Sequence, residues 1–394
     1  MSKYRFSCAA LLRPFVLALI AFGLVACDQT MISGTTEVDP TQPVIVALMV
    51  PYESGDALND QLADNLVNAA RMASRDVQGA AIDLRIYRTG ADPTRAAAEA
   101  TRAITEGAQI FIGPLFSNTT SAVAAVAVQS NINVLSLSNN AAIAGGNVYI
   151  LGVTFEDVAT RLFSYAVNNG MPNVGVVYPD GVEGEAGKLA AINAARNTGA
   201  NLAGSASYPL NMQGLSEAAP AVAQTMASNR VQALLFTDTP TRGLAFMAAA
   251  LGSEGITRRN TQFMGLARWD KSTELLGQPS MQGGIFAVPD PVLTAQFDAR
   301  YLAAHGTEPH DLSALAYDAV AAIGALITSA KAQGATDTFD AGRLINPAGF
   351  VGVNGVFRLT PQGLNQRGLA ILKVDKGDAV IIDPAPRSFG GFGS

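Results

Sequence analysis

The stretch VIVALMVPYESG, residues 44–55, sets the pattern from which the fold of this chain can be predicted. Its first seven residues are all apolar, as in a strand buried on both faces of a parallel sheet, and a proline-containing turn follows. Further short apolar runs alternate with amphipathic segments, which predicts an α/β fold with helices on both faces of a mostly parallel sheet. The predicted strands are 44–50, 82–87, 109–113 and 133–137, and the helices between them centre on 62–73, 94–104 and 122–128.

The same alternation restarts after Gly152 and predicts a second α/β unit. A chain of 394 residues exceeds what one hydrophobic core usually supports, so we expect two lobes. The second unit has predicted helices at 157–168, 186–197 and 215–227 and strands at 174–178, 202–208 and 233–237. Helices near 291–304 and 312–330 follow, and then a β-rich tail with strands at 355–359, 370–374 and 380–382.

Composition excludes several classes of partner. Hydrophobic residues make up 49% of the chain and charged residues 15%, which is typical of a well-packed globular protein. The net charge of −6 gives neither nucleic acid nor an anionic membrane surface an electrostatic reason to bind. We therefore predict no nucleic-acid partner.

The first 27 residues have the order of an export signal. Lys3 and Arg5 precede an apolar core of about 13 residues, which is too short to span hydrocarbon about 30 Å thick. The small residues before Cys27, in the run LVAC, resemble the bacterial lipobox. This resemblance implies cleavage before Cys27 and a lipid on its thiol, which would anchor the protein outside the cytoplasm. An ordinary signal peptide with a chance cysteine is the alternative.

Removal of residues 1–27 would also remove Cys8 and leave one thiol, so we predict no intramolecular disulfide. Residues 28–43 are polar and are predicted to be a flexible tether of the globular part to the membrane.

The chain resembles the type I periplasmic solute-binding fold over residues 44–384. The resemblance lies in VIVALMVPYESG, ADPTRAAAEATRAITEGAQIFIGPLFSNTTSAVA, INVLSLSNN and GVNGVFRLTPQGLNQRGLAILKV. It implies two lobes, each a mostly parallel sheet flanked by helices, that are joined by three hinge crossings. The crossings would lie near 151–154, 286–290 and 352–357, which assigns 44–152 and 290–352 to lobe 1, 153–289 and 353–384 to lobe 2, and 385–394 to a disordered tail.

Small polar residues follow the strands of the first lobe, where open α/β sheets bind their ligands. Their hydroxyls and amides, helped by helix N-termini, are suited to a carboxylate or a sugar. The alternative is that they only cap helices, although the resemblance favours Ser117, because amino-acid binders of this fold use a serine at that place. The candidates are Ser117, Asn118, Thr119, Ser138 and Asn139, with Tyr52 at the cleft rim or in a simple turn.

The facing lobe offers Thr237 and Asp238 after one predicted strand and Arg268 after another. Relatives that bind amino acids keep an acidic residue at about the position of Arg268. An arginine there repels an ammonium group and favours an anionic or hydroxyl-rich ligand. Pairing of Arg268 with Asp270 or Asp238 is the alternative.

The sequence offers little for catalysis. His305 and His310 flank a turn and have no evident third metal ligand, which favours a solvated pair over a metal site. The segment GVEGEAGK, residues 181–188, departs from a phosphate-binding loop because Leu189 stands where Ser or Thr is needed. We therefore predict a protein that is not an enzyme and that has no metal and no cofactor.

Two non-enzymatic functions remain. The runs IGPLFSNTT, NINVLSLSNN, LGVTFEDVATR and VQALLFTDTPTRGLAFM are similar to the LpoA (LppC, YraM) family of penicillin-binding-protein activators. That similarity implies regulation of peptidoglycan synthesis through a class A penicillin-binding protein, and it is our first hypothesis. The alternative is the solute receptor of an ABC permease, which closes around an amino acid or a similar small polar ligand.

Two departures from the activator family bear on this choice. The enterobacterial activators carry a helical-repeat domain before this fold, where this chain has only the short tether. Asp28 resembles the signal that retains lipoproteins in the inner membrane, whereas those activators lie in the outer membrane. The sequence leaves the membrane undecided, and Asp28 favours the inner one.

Overall fold

Fifteen strands run through residues 37–389, the part of the chain that the computed structural model describes. Cys27, Asp28 and residues 29–36 of the predicted tether lie outside this range. The strands are β1 (Val44–Val50), β2 (Ile82–Arg88), β3 (Ile110–Ile112), β4 (Val134–Ser136), β5 (Val148–Ile150), β6 (Asn173–Pro179), β7 (Asn201–Tyr208), β8 (Ala233–Phe236), β9 (Gln262–Gly265), β10 (Ile285–Pro289), β11 (Phe350–Gly352), β12 (Gly355–Leu359), β13 (Asn365–Arg367), β14 (Leu369–Asp375) and β15 (Asp378–Asp383).

Helices alternate with most of these strands. They are α1 (Ala57–Asp76), α2 (Pro93–Thr105), α3 (Ser117–Ala127), α4 (Phe155–Asn168), α5 (Val182–Thr198), α6 (Met212–Ser228), α7 (Leu244–Ser253), α8 (Thr273–Leu276), α9 (Pro291–His305), α10 (Ser313–Gln333) and α11 (Ala341–Leu344).

The first lobe is a parallel sheet in the order β2-β1-β3-β4-β5. Residues from α1 and α10 pack on one face, and residues from α2 and α3 pack on the other. Helix α10 is apolar enough to cross a membrane, but most of it is buried in this lobe's core. Its composition is therefore explained by packing.

The second lobe is a sheet in the order β15-β14-β10-β9-β8-β6-β7. Strands β6 to β10 pair in parallel, and β14 and β15 add an antiparallel edge. Helices α4 and α5 cover one face, and α6 and α7 cover the other. The predicted two-lobed α/β fold, with mostly parallel sheets flanked by helices, is confirmed.

Three passages connect the lobes. The chain leaves the first lobe between β5 and α4, returns between β10 and α9, and leaves again between β13 and β14. The third passage was predicted at 352–357, which is wrong. Phe357 and Leu359 pack in the core of the first lobe, so the chain does not leave that lobe until after Arg367.

Residues near the C-terminus contact the folded body. Ala385 packs in the core of the second lobe, although it lies in the segment predicted to be disordered. The Arg358 guanidinium lies 4.7 Å from the ring centroid of Phe389. Residues 390–394 lie outside the described range.

The first passage ends at a strong helix start. The Thr154 hydroxyl accepts a hydrogen bond from the Asp157 amide at 3.1 Å, and the Asp157 carboxylate accepts one from the Thr154 amide at 3.4 Å. This reciprocal capping satisfies amide donors that the first turn of α4 would otherwise leave unpaired. It fixes where the chain turns from the passage into the second lobe.

Candidate functional site

A cavity of about 560 Å³ lies between the two lobes. Leu115 and Leu137 line it from the carboxyl ends of β3 and β4, and Leu266 lines it from the carboxyl end of β9. This is the edge at which open α/β sheets bind ligands, and both lobes contribute to one enclosed space. The cavity has the size of a small-molecule site.

The wall of this interlobe cavity is largely apolar. Phe116 and Phe297 come from the first lobe, and Phe155 and Val158 from the start of α4 in the second. Such a surface favours the apolar body of a ligand, with a few polar groups to orient it.

Ser138 forms part of the cavity where the first passage begins. It is buried, and its hydroxyl accepts a hydrogen bond from the Asn140 amide at 3.1 Å. Gly152 packs directly against it, and a Cβ there would lie 2.5 Å from the Ser138 carbonyl oxygen. Only glycine allows this close approach of the passage to the Ser138 loop.

Arg268 lines the cavity from the second lobe and forms an ion pair with Asp270. Its Nε donates to Asp270 Oδ1 at 3.1 Å. Burial opposes the charge on Arg268, but the Asp270 hydrogen bond and charge prevail, and the pKa of the guanidinium is raised. The positive charge of Arg268 is therefore already offset by its own lobe.

Asp311 joins the lobes electrostatically. It precedes α10 in the first lobe, and Lys271 of the second lobe places its Nζ 2.8 Å from Asp311 Oδ1. Arg268 Nη1 lies 3.8 Å from Asp311 Oδ2. Partly exposed pairs of this kind contribute about 0–1 kcal/mol each, so the two contacts stabilise the observed arrangement of the lobes only weakly.

Asp298 of α9 is a carboxylate in the cavity wall that makes no direct side-chain contact with a cation. Its side chain has no hydrogen bond or ion pair with any residue in 37–389. Burial raises the pKa of its carboxyl group; Lys271 and Arg268 oppose this shift, while Asp311 and Glu308 add to it. The cavity therefore has a largely apolar wall and one carboxylate without a hydrogen-bond or ion-pair partner.

The sequence family described as "Periplasmic binding protein" matches residues 44–379. The chain belongs to this family. Members are periplasmic solute-binding proteins, and this periplasmic binding protein shares that compartment. No curated protein matches the chain.

Solved structures of ABC-transporter proteins share the fold. A Rhodospirillum rubrum protein, described as a candidate branched-chain amino acid ABC transporter, aligns with TM-score 0.72 and 18% identity over 86% of this chain and 100% of its own. A substrate-binding protein from Desulfitobacterium hafniense in complex with Leu aligns with TM-score 0.61 and 19% identity over 86% and 100%. A solute-binding protein from Rhodopseudomonas palustris BisB5 in complex with 3,4-dihydroxybenzoic acid gives TM-score 0.54 and 15% identity over 88% and 98%.

Three of the predicted site residues, Ser138, Asn139 and Arg268, line the interlobe cavity of this periplasmic binding protein. Ser117, Asn118 and Thr119 do not line it; the two residues before them, Leu115 and Phe116, do. The Asn118 side chain accepts from the Thr119 amide at 2.8 Å, and the Thr119 hydroxyl donates to the Phe116 carbonyl at 2.9 Å. Both polar side chains thus serve the start of α3.

Thr237 and Asp238 are buried in the second lobe and do not line the cavity. Asp238 accepts hydrogen bonds from the Tyr208 hydroxyl at 2.8 Å and the Gly243 amide at 2.9 Å, and it forms an ion pair with Arg242. This carboxylate holds the β7 and β8 ends together, which leaves it no free face for a ligand.

Tyr52 also lies outside the cavity lining. Its hydroxyl donates to Asp64 at 2.6 Å, which ties the turn after β1 to α1. The sequence left open whether Tyr52 lies at the cleft rim or in a simple turn. The structure shows the contacts of a turn.

Sequence reasoning missed the residues that α9 and the turn after it bring to the cavity, namely Thr294, Asp298, His310 and Asp311. The feature that could have located them is the return of the chain to the first lobe after Pro289, because this return places the following helix beside the cleft. Within residues 37–389, no group of three or more His, Cys, Asp or Glu side chains is arranged to hold a metal ion.

Proposed function

We propose that this periplasmic binding protein binds a small, largely apolar solute with an amino group between its lobes and delivers it to an ABC permease. The observation that carries the proposal is the interlobe cavity, with its apolar wall and the Asp298 carboxylate, which has no hydrogen-bond or ion-pair partner. The related structures described as ABC-transporter substrate-binding proteins support the same function. This reverses the order of the two functions that the sequence suggested.

Ligand selection follows from the charges around the cavity. Arg268 alone would repel an ammonium group, but Asp270 offsets it, so the unpaired charge in the wall is that of Asp298. An ammonium group beside Asp298 gains a charge-assisted hydrogen bond. An amino acid with an apolar side chain combines both requirements.

Binding and closure are coupled through the hinge. A ligand that contacts Phe116 and Phe297 on one lobe and Phe155 on the other binds the closed form better than an open one, and it shifts the population towards closure. The Asp311 ion pairs favour the same closed form only weakly, so the ligand supplies most of the preference. The protein needs no chemical step for this cycle.

Calorimetric titration of the wild-type protein with leucine, phenylalanine and benzoate tests the proposal. We expect heat of binding from at least one of the two amino acids and a matching rise in melting temperature, because a ligand that binds only the folded state stabilises it. Benzoate should bind more weakly, because it lacks the ammonium group that would pair with Asp298. Absence of heat and of a thermal shift from all three solutes would remove the solute-receptor function.

Activation of a class A penicillin-binding protein is the second candidate. The placement of Ser117 outside the cavity favours it, because the amino-acid binders that the sequence resembles use that serine for their ligand. In that case the purified protein should bind the synthase and raise its crosslinking rate, and leucine should not change the effect. A receptor for solutes should leave the crosslinking rate at its basal value.

We further propose that the protein is held at the membrane by a lipid on Cys27. Of the segment 28–43 that the sequence predicts as a tether, Val38 packs in the core of the first lobe, so only the residues before it can serve as the tether. The support is the LVAC run at the end of the export signal. Radiolabelled palmitate should mark the wild-type protein and leave the Cys27→Ala variant unlabelled. Label that persists in this variant would contradict the lipid site. Membrane fractionation of the labelled protein would then test the inner-membrane location that Asp28 favours.

A further inference from the structure

A second cavity, of about 850 Å³, lies beside the passages and shares no lining residue with the interlobe cavity. We call it the hinge cavity. Its walls are one face of α4, the strand β13 with the turn before it, and the segment 383–389. It is therefore built from both lobes and the C-terminal segment.

Helix α4 presents a polar face to the hinge cavity. The lining residues Asp157, Thr160, Arg161, Ser164 and Asn168 recur at the spacing of one helix face, and the opposite face packs in the core. The polar face of a surface helix usually meets open water. Here the residues of β13 and the C-terminal segment stand across from it and enclose a polar space.

The charges of the hinge cavity disfavour an anion. Arg161 pairs with Asp383 at 2.7 Å, and its Nε donates to the Leu369 carbonyl at 2.8 Å. The guanidinium of Arg367 is committed to Asp318. Both arginines in the lining are therefore occupied, and Arg358 stacks on Phe389 without lining the cavity. A phosphate or carboxylate would meet the acidic groups of the lining without a free positive partner among the lining residues.

Hydrogen-bonding capacity remains in the wall. Glu156 accepts from the Asn193 and Asn197 amides at 3.0 and 3.2 Å and retains further acceptor sites. In the floor, Asn365 Oδ1 and Arg367 Nε are buried and have no hydrogen-bond partner among residues 37–389. Both atoms are shielded from the cavity, so the acceptor sites of Glu156 are what this part of the wall offers a ligand.

The wall also contains a flat apolar surface. Phe389 lines the cavity next to Pro384 and Pro386, and Arg358 fixes the ring by stacking on it. An aromatic ring among amides, hydroxyls and carboxylates offers a sugar the two contacts it needs. The pyranose C–H face packs on the ring, and the hydroxyls donate to carboxylates and accept from amides.

We propose that the hinge cavity is a binding site for a neutral saccharide of one or two residues. The size of the cavity, its occupied cations, its acceptor-rich wall and the Phe389 ring all agree with this class of ligand. The site is independent of the solute proposed for the interlobe cavity.

Binding of maltose and of N,N′-diacetylchitobiose to the full chain, in a detergent without a sugar head group, tests the proposal. Saturation-transfer NMR should show contact with at least one of these sugars and none with glucose 6-phosphate. Phe389→Ala should weaken binding about tenfold through loss of the stacking surface. Ser164→Trp, which fills the cavity from a half-buried position on α4, should abolish it.

Matched variants separate loss of the site from loss of the fold. Phe246→Ala removes an exposed ring from α7, so it should bind the sugars like the wild type. Asp298→Asn alters the interlobe cavity and should leave sugar binding unchanged. The proposal is overturned if neither sugar shows contact, if Ser164→Trp binds as well as the wild type, or if glucose 6-phosphate binds better than the neutral sugars.

Discussion

Replacement of Asp318 by asparagine is expected to lower the free energy of unfolding by about 3–5 kcal/mol, the range for removal of one partner from a buried ion pair. Asp318 and Arg367 are both fully buried, and their charged atoms lie 2.7 Å apart. Asparagine keeps an oxygen for the Val353 amide, which donates to Asp318 at 2.7 Å. The loss would therefore come from the uncompensated charge left on Arg367. Urea unfolding followed by circular dichroism measures it.

An exposed ion pair provides the control for this variant. Asp83 and Arg85 lie 2.6 Å apart at the surface, and Asp83→Asn should cost less than about 1 kcal/mol. The double variant Asp318→Leu with Arg367→Met should recover much of the loss, because apolar residues of similar volume need no charge partner. A loss below about 1 kcal/mol for Asp318→Asn alone would show that the buried pair does not stabilise the hinge.

The geometry around Asp318 explains why we expect so large an effect. Gly352 allows the carboxylate to sit against the backbone, since a Cβ there would lie 2.0 Å from Asp318 Oδ1. Two residues before Arg367, the Asn365 side chain donates to the carbonyls of Ile150 and Gly152 at 3.0 and 2.8 Å. The ion pair and these bonds hold the third passage against the first, so a change at Asp318 reaches two of the three connections.

Periodicity was sufficient to predict most strands of the two sheets, although the three-residue β5 was not among them. The apolar run 44–50 coincides with β1, and the predicted helix 157–168 lies within α4. The third passage was misplaced because β11 and β13 are only three residues long, too short to show a periodic pattern. The apolar residues of β12 suit the core of either lobe, and only their tertiary contacts assign them to the first.

The candidate site was harder to predict. Ser138 and Arg268 were found because they follow strands whose carboxyl ends meet the cleft. Ser117 and Asp238 satisfy the same rule but do not line the cavity, and the partners of Asp238, Tyr208 and Gly243, are not apparent from sequence. Asp298 lies in the middle of a helix with no local feature that distinguishes it from a solvated surface acid.

Replacement of Asp298 by asparagine is expected to weaken the binding of an apolar amino acid about 10- to 100-fold, the equivalent of one lost charge-assisted hydrogen bond. Asparagine has nearly the same size, so the cavity keeps its shape and only the acidic partner of the ammonium group is lost. Calorimetric titration of leucine into both proteins measures the change. Glu254→Gln, which removes an exposed acidic group at the end of α7, should bind leucine like the wild type.

The pH dependence gives a second readout for Asp298. Its pKa is raised above the ordinary value of 3.8, and only the ionised carboxylate attracts the ammonium group. Leucine affinity should therefore be complete above this raised pKa and fall as the pH decreases through it, at a higher pH than an ordinary aspartate would cause. The Asp298→Asn variant should show no such decrease. Equal leucine affinity in the two proteins, or a decrease that persists after the substitution, would assign recognition of the amine to another group.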